Sequence, residues 1–242
     1  MSNDLLVYNP HVSVDCVVFG FNGENLKVLL IERMSSEFDD NFSDKKLPGS
    51  IIYEDENLDT AATRILNELT GLKNIFLSQF HSFGDPMRTS NPRDKNWLEK
   101  TTKMKIGRIV TVGYVALIKI SRKIIFESEN TTAKWYDIKS LDTMKLAFDH
   151  NKIAQEALKH IRHQLTLEPY ILFELLPQKF TMTQLRHLYD IIMEKKSDVR
   201  NFQKKILQIE GIEQLDEVQK DVPYRAPRLY RFNKKKQKKK NK

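Results

Sequence analysis

Apolar residues first cluster at Val12, Val14, Cys16, Val17, Val18 and Phe19, a run dense enough for a buried strand. Asn22-Gly23 follows, then Leu26 to Ile31, which predicts a β-hairpin closed by a tight turn. Residues 34–46 are polar and acidic and predict a loop, and Leu47-Pro48-Gly49-Ser50 predicts a turn into a short strand. From Asn57 to Thr70 the apolar positions Leu58, Ala61, Ala62, Ile65, Leu66 and Leu69 take helical spacing, with Gly71 as a stop. A strand near 75–83 is followed by a long polar loop over 84–105, of a length that usually carries function. Ile109–Ile120 predicts a second strongly apolar strand. Shorter strands are expected at Ile124–Phe126 and Ala133–Tyr136, and an amphipathic helix over Asn151–Leu165.

The pattern changes after Glu168-Pro169. Thr181 and Gln184 have capping-box spacing, and Phe180 and Leu185 sit where a hydrophobic staple would place them, so a helix is expected from there to about Met193. Asp198 can cap a second helix ending at Leu207 or Ile209. Ile212 begins a strand, residues 215–227 predict a charged loop, and Arg228–Phe232 alternates as the returning strand. Helix, turn, helix and two-stranded wing is the order of a winged helix-turn-helix.

Charge sharpens this division. The net charge is +8, yet residues 171–242 hold 18 Lys/Arg against 9 Asp/Glu, while residues 1–170 hold 22 against 23. A neutral domain joined to a basic one points to a polyanionic partner for the latter. Seven lysines in Lys234–Lys242 carry most of that excess. One cysteine, Cys16, excludes an intramolecular disulfide framework and suits a reducing cytoplasm. Met1–Pro10 does not read as a signal peptide, and no apolar run is long enough for a membrane span, so a cytoplasmic protein without membrane contact is expected. The six histidines show no zinc-motif spacing, and there is no P-loop and no G-x-S-x-G elbow.

Leu47-Pro48-Gly49, the helix 57–70 and Arg64-Ile65-Leu66-Asn67-Glu68-Leu69-Thr70-Gly71-Leu72 resemble the Nudix box. Arg64, Leu66, Glu68, Gly71 and Leu72 match it; Glu56 has the right spacing to Arg64 but lies one residue too far from Gly49, and Asp55 has the complementary mismatch. The hairpin, the Arg93 loop and Phe148-Asp149-His150 extend the resemblance over residues 10–165. It implies an α+β fold, a Nudix-like mixed-sheet sandwich, followed here by the winged helix-turn-helix domain. Nudix hydrolases hold divalent metal with carboxylates of the box helix. At two of those positions this chain has Ile65 and Leu69, which leaves Glu68 with the structural reading of an i,i+4 partner for Arg64. No catalytic residue, metal or cofactor is therefore expected.

Leu175–Leu185, Asp198–Ile206 and Arg225–Phe232 look like the C-terminal domain of Nudix-related transcriptional regulators, including the branch that controls sugar catabolism. That resemblance implies a small-molecule effector such as ADP-ribose or a pentose, and double-stranded operator DNA bound by a homodimer. Expected domains are 1–167 for the effector, 168–233 for DNA, and a disordered lysine-rich tail at 234–242. Arg200, Asn201, Lys204 and Lys205 would face the major groove, with Thr181, Thr183 and Gln184 on phosphate and Arg225 and Arg228 flanking the wing strand. Gly49, Glu68, Asp85, Arg88 and Arg93 are the candidate effector residues. The loop 84–108 is longer than the compact version the resemblance implies, which leaves the ligand open. Two other readings stand beside this one: a Nudix hydrolase of nucleoside diphosphate derivatives with a basic accessory domain, and an RNA-binding adaptor using the lysine tail.

Overall fold

The computed structural model describes residues 7–33, 44–120, 126–128, 131–220 and 226–237. The chain divides into two units, Met1–Phe19 with Lys27–Ala116 and Ser121–His160, and Gly20–Leu26 with Leu117–Ile120 and Ile161–Lys242.

The first unit is built on strands β1 (Tyr8–Phe21), β2 (Leu26–Arg33), β3 (Asp44–Lys46), β4 (Gly49–Tyr53), β5 (Ser78–Phe83), β6 (Val110–Lys119), β7 (Phe126–Ser128) and β8 (Thr131–Asp137). Their order is β5-β6-β1-β2-β8-β7, with β3 on β2 and β4 on β1. Val14, Cys16, Val17, Val18 and Val28–Ile31 are fully buried, which explains their unbroken apolar runs. The hairpin turn is held by the Asn22 side chain, which accepts the Glu24 and Asn25 N–H groups at 3.0 and 2.7 Å. Helix α1 (Leu58–Thr70) starts at Asn57, whose side chain accepts the Thr60 N–H at 2.9 Å, and ends at Gly71, φ 71°.

Two expected loops are ordered elements. Residues 44–46 of the acidic stretch pair with β2 as β3, while 34–43 lie outside the described residues. The long segment after β5 folds into a 3₁₀ turn, Pro86–Thr89, and a helix α2 (Pro92–Thr102). Its start is specified locally: Asn91 accepts the Arg93 N–H at 3.1 Å and Pro92 occupies the first turn. Leu98 packs on a cluster of Ile51, Ile106 and Ile109. With only Trp97 and Leu98 as large apolar residues in an otherwise polar segment, no helical periodicity announces α2. The strand expected at 124–126 is described only from Phe126. Helix α3 (His150–Leu167) begins in the first unit and ends in the second.

The second unit contains strand β9 (Phe180–Thr181), helices α4 (Met182–Met193) and α5 (Val199–Ile206), strands β10 (Ile212–Val218) and β11 (Arg228–Phe232), and a single turn α6 (Lys234–Gln237). The sheet order is β10-β11-β9. Its core is Leu172, Leu176, Phe180, Leu185, Leu188 and Ile192, with Phe173 stacked on Phe180 and Phe232 at 5.5 and 4.2 Å between ring centroids. Arg162, in the last turns of α3, donates to the Ile192 carbonyl at 2.6 Å and so satisfies the C-terminal end of α4. His187 on α4 meets the Glu24 carbonyl of the hairpin tip at 2.7 Å. Strand β10 runs to Val218, so the charged wing loop is shorter than the expected 215–227. The tail begins with the helical turn α6 rather than as a disordered segment from residue 234, and residues 238–242 lie outside the described residues.

Candidate functional site

The Nudix-box residues on α1 are occupied with each other. Arg64 donates Nε to Glu56 at 2.9 Å and Nη1 to Glu68 at 3.0 Å, pairs again with Glu56 through Nη2, and lies 4.1 Å from the centre of the Tyr53 ring. Glu56 also accepts the Tyr53 N–H at 2.8 Å. Burial alone would raise the Glu56 carboxyl; Arg64 and that N–H more than offset it and hold the pKa below the usual range. The extra residue between Gly49 and Glu56 is thus absorbed in the turn after β4, and Glu56, not Asp55, takes the box position. Ile65 is fully buried, Leu69 brings no oxygen, and Glu68 is held by Arg64. A hard divalent cation needs several oxygen ligands, and this helix face does not fit one. Among the described residues, no three His, Cys, Asp or Glu side chains are grouped to hold a metal ion.

Next to the Leu47-Pro48-Gly49 turn lies a buried polar cluster. Asp15 on β1 accepts the Thr111 hydroxyl at 2.7 Å, faces Arg88 at 3.4 Å through Oδ2, and faces His150 Nε2 at 3.4 Å through Oδ1. Arg88 in turn binds Asp149 with Nη2 at 2.9 Å and Nε at 3.3 Å. The turn itself is tied in three ways: Cys16 N–H donates to the Pro48 carbonyl at 2.7 Å, Leu47 N–H to His150 Nδ1 at 2.9 Å, and Lys46 Nζ to the Gly49 carbonyl at 2.5 Å. A Cβ on Gly49 would lie 1.9 Å from Asp15 Oδ1, so this position excludes any side chain.

The bond from Leu47 fixes the His150 tautomer: Nδ1 accepts, so Nε2 carries the proton and points it at Asp15. Burial lowers the His150 pKa to about 4, and the ring is neutral at physiological pH. Burial would raise the Asp15 carboxyl, but its surroundings hold it below the ordinary carboxylate value. With His150 neutral, the compensating charges are Arg88 and Lys46, and Thr111 adds a hydrogen bond. Burial likewise pushes the Cys16 thiol up, so it is a core residue without thiolate character.

This cluster forms the floor of a cleft with about 360 Å³ of empty space including its mouth, walled further by Trp97 of α2 and by Phe148. The Lys46 ammonium stands 5.3 Å from the Trp97 ring centre. A second cleft, about 530 Å³ with its mouth, shares Arg88 and Phe148 and adds Asp85, Asn91, Asp149 and Lys152. Phe148 adopts φ 54°, and its N–H is accepted by the buried Asp94 of α2 at 2.9 Å.

The second unit presents a different surface. Asp198 caps α5 by accepting the Asn201 N–H at 2.9 Å. Phe202 and Ile206 are buried, while Arg200, Asn201, Lys204 and Lys205 are exposed. Two anchors inward and four polar groups outward make α5 a helix with one face free to meet a partner.

Residues 9–159 match the NUDIX domain family, and residues 172–232 match the NrtR DNA-binding winged helix domain. The chain belongs to the NUDIX family. Over 231 residues it is 30% identical to a protein of Acinetobacter baylyi described as "ADPR responsive transcriptional repressor NtrR", covering 93% of this chain and 82% of that one. Shewanella oneidensis NrtR in complex with a 27mer DNA shares the fold, with 24% identity, a TM-score of 0.68, and 94% and 95% of the two chains covered. A MutT/nudix family protein from Enterococcus faecalis aligns with 25% identity and a TM-score of 0.63 over 93% and 88% of the chains.

Within this NUDIX-family chain the expected effector residues separate. Gly49 and Arg88 meet in the first cleft, and Asp85 joins Arg88 in the second. Glu68 is not with them: it lies on the α1 surface, bound to Arg64. Arg93 is exposed on α2 and lines neither cleft. Asp15, Lys46, Trp97 and His150 escaped sequence reasoning. One signal was available, since Asp15 is an acid inside an apolar strand, and such a residue needs a buried partner. Among the expected DNA contacts, Thr181 is buried and spent on the α4 cap, bonded reciprocally with Gln184 at 3.1 and 2.9 Å. The Thr181 hydroxyl and the Gln184 side-chain oxygen accept in this capping box. Thr183 and Arg228 are exposed, and Arg225 lies outside the described residues.

Proposed function

We propose that the protein is a DNA-binding transcriptional regulator whose NUDIX unit senses a small ligand, ADP-ribose or a sugar related to it. The observation that carries this reading is the pairing of a polar, aromatic-walled cleft in one unit with an exposed basic helix face on a winged helix in the other. The 30% identical relative, described as an ADPR-responsive transcriptional repressor, supports it. Residues 1–167 form the effector domain and 168–233 the DNA-binding domain, with the lysine tail adding salt-sensitive affinity. Arg200, Asn201, Lys204 and Lys205 read the major groove, and Thr183, Arg225 and Arg228 contact backbone. A homodimer on a palindromic site in the cytoplasm is the working assembly. The NUDIX unit is not a hydrolase in this reading, because the box helix replaces two carboxylates by Ile65 and Leu69 and ties Glu68 to Arg64.

The test is fluorescence anisotropy with duplex DNA from upstream of the protein's own gene cluster, under excess nonspecific competitor, with and without ADP-ribose and pentoses. Sequence-specific binding that one ligand alters is expected. No preference over competitor DNA rejects the regulator, and magnesium-dependent turnover of ADP-ribose that is lost on Glu68→Gln would establish the hydrolase instead.

A further inference from the structure

We propose that Val199, the first residue of α5, is a specificity-determining residue that packs on the C5-methyl group of a thymine in the major groove. The proposal rests on the reading of α5 as the helix that enters duplex DNA, and it names one base that this helix selects.

The start of α5 is fixed by its cap. Asp198 accepts the Asn201 N–H at 2.9 Å, so the helix opens at Val199 and its first turn carries Val199, Arg200 and Asn201. Phe202 and Ile206 anchor it, 6% and 3% exposed, whereas Val199 is 55% exposed. Helical spacing puts Val199 in line with Gln203 and Leu207, in a stripe between the two anchors and the edge that carries Arg200 and Lys204. Every other exposed residue from Arg200 to Lys205 is polar or charged. A lone exposed valine on an ordinary surface needs no explanation. Here it sits at the N-terminal end of a basic helix, the end whose side chains reach base edges when such a helix lies in the major groove. Valine is also a weak helix former, so the fold gains nothing from it at an exposed position.

The partner follows from the chemistry of the groove. Phosphates and the nitrogen and oxygen atoms of base edges take charged and hydrogen-bonding groups, which Arg200, Asn201, Gln203, Lys204 and Lys205 supply. Valine offers neither. The apolar group that the major groove presents is the thymine C5-methyl. With one stiff side-chain torsion, valine presents its two methyl groups at little cost in side-chain freedom.

The experiment deletes the methyl group from each side of the contact. Duplexes preferred by the full chain are selected from a random library under excess competitor, and the tightest becomes the probe. Each thymine of the probe is replaced in turn by deoxyuridine, which removes the methyl and keeps every hydrogen-bonding group. Affinities are read by anisotropy for wild type, Val199→Ala and Leu207→Ala. At one thymine position wild type should lose about fourfold, the contribution of one buried methyl group, and Val199→Ala should bind both duplexes alike. Leu207→Ala, on the same stripe at the other end of the helix, should keep the fourfold ratio. A cytosine at that position should bind wild type more tightly when it carries a C5-methyl, and Val199→Ala should not distinguish the two. Alanine is the better helix former, so an unchanged melting curve is expected for the variant. Sequence-specific binding with no methyl-sensitive position, or a methyl ratio that survives Val199→Ala, overturns the assignment and leaves the regulator standing. If the ratio survives and Val199→Ala changes the oligomeric state of the free protein, Val199 faces a second copy instead. Absence of any duplex preferred over competitor overturns the regulator and this assignment with it.

Discussion

The NUDIX unit buries its chemistry, whereas the winged-helix unit displays it. In the first, Asp15, Arg88, Lys46 and His150 come from separate strands, turns and a helix; Arg88 and His150 face Asp15, and Lys46 binds the Gly49 carbonyl beside them. In the second, Arg200, Asn201, Lys204 and Lys205 are neighbours on one helix, held outward by two buried anchors. A site that must shape itself to a small molecule is preorganised by a network, and removing one member harms fold and function together. A face that must meet a flat polyanion needs only a rigid helix, so its members are separable from stability.

Substitutions that break the network should therefore act first on stability, and the largest effect is expected at Arg88. Arg88→Met leaves the Asp15 carboxylate buried without its guanidinium and should cost about 3–5 kcal/mol. Both tryptophans, Trp97 and Trp135, lie in the first unit, so a urea titration followed by tryptophan emission reports the loss from that unit. An unchanged midpoint would mean that the cluster is not the keystone of the unit.

Acid should reveal the next largest effect. His150 stays neutral in the fold down to about pH 4, whereas the unfolded chain protonates it near its ordinary value of 6.5. Between those values the unfolded state binds the extra proton, so stability falls as pH drops from about 6.5 towards 4 and levels off below. The lost contribution is of order 3 kcal/mol. Asp15, held below the ordinary carboxylate value, adds its own loss only below about pH 4. Tryptophan-monitored denaturation at stepped pH, compared with His150→Gln, checks both sign and window; a slope that survives the substitution belongs to other groups.

On the winged helix the effect should move from stability to DNA. Arg200→Ala is expected to lower affinity for specific duplex by about 1–3 kcal/mol with ligand affinity unchanged, read by anisotropy and calorimetry on the same preparation. Equal losses on specific and competitor DNA would reassign Arg200 to phosphate. Smallest of all should be Thr181→Ala, about 1 kcal/mol of α4 stability through the lost cap. Hydrogen exchange at the α4 N-terminus measures it, and a change in the salt slope of DNA binding instead would return Thr181 to the interface.

The same contrast separates local signals from long-range ones. Helices α1, α4 and α5 carry their own start signals in Asn57, Thr181 with Gln184, and Asp198, and each side chain caps as its position predicts. Helix α2 carries the same kind of signal at Asn91-Pro92, but its charged composition hid it, and the packing of Leu98 on Ile51, Ile106 and Ile109 completes it. Of the expected effector residues, Gly49 and Arg88 line the first cleft and Asp85 lines the second with Arg88, while Asp15, Lys46, Trp97 and His150 join the first cleft without a signal in near-neighbour spacing. Glu68, a residue of the Nudix box, and Arg93, a residue of the 84–108 segment, line neither cleft.

The amino-acid order alone determined the two-part architecture, the caps, the apolar Ile65 and Leu69 on the box helix, and the outward face of α5. All of these are properties of local period and spacing, which a helix or strand expresses wherever it is packed. Tertiary structure alone decided that Asp15, Lys46, Arg88, Trp97 and His150 share one cleft. Those positions span more than a hundred residues of chain. They meet because buried charges from distant segments must find partners, and no pattern of near neighbours encodes which partner each will find.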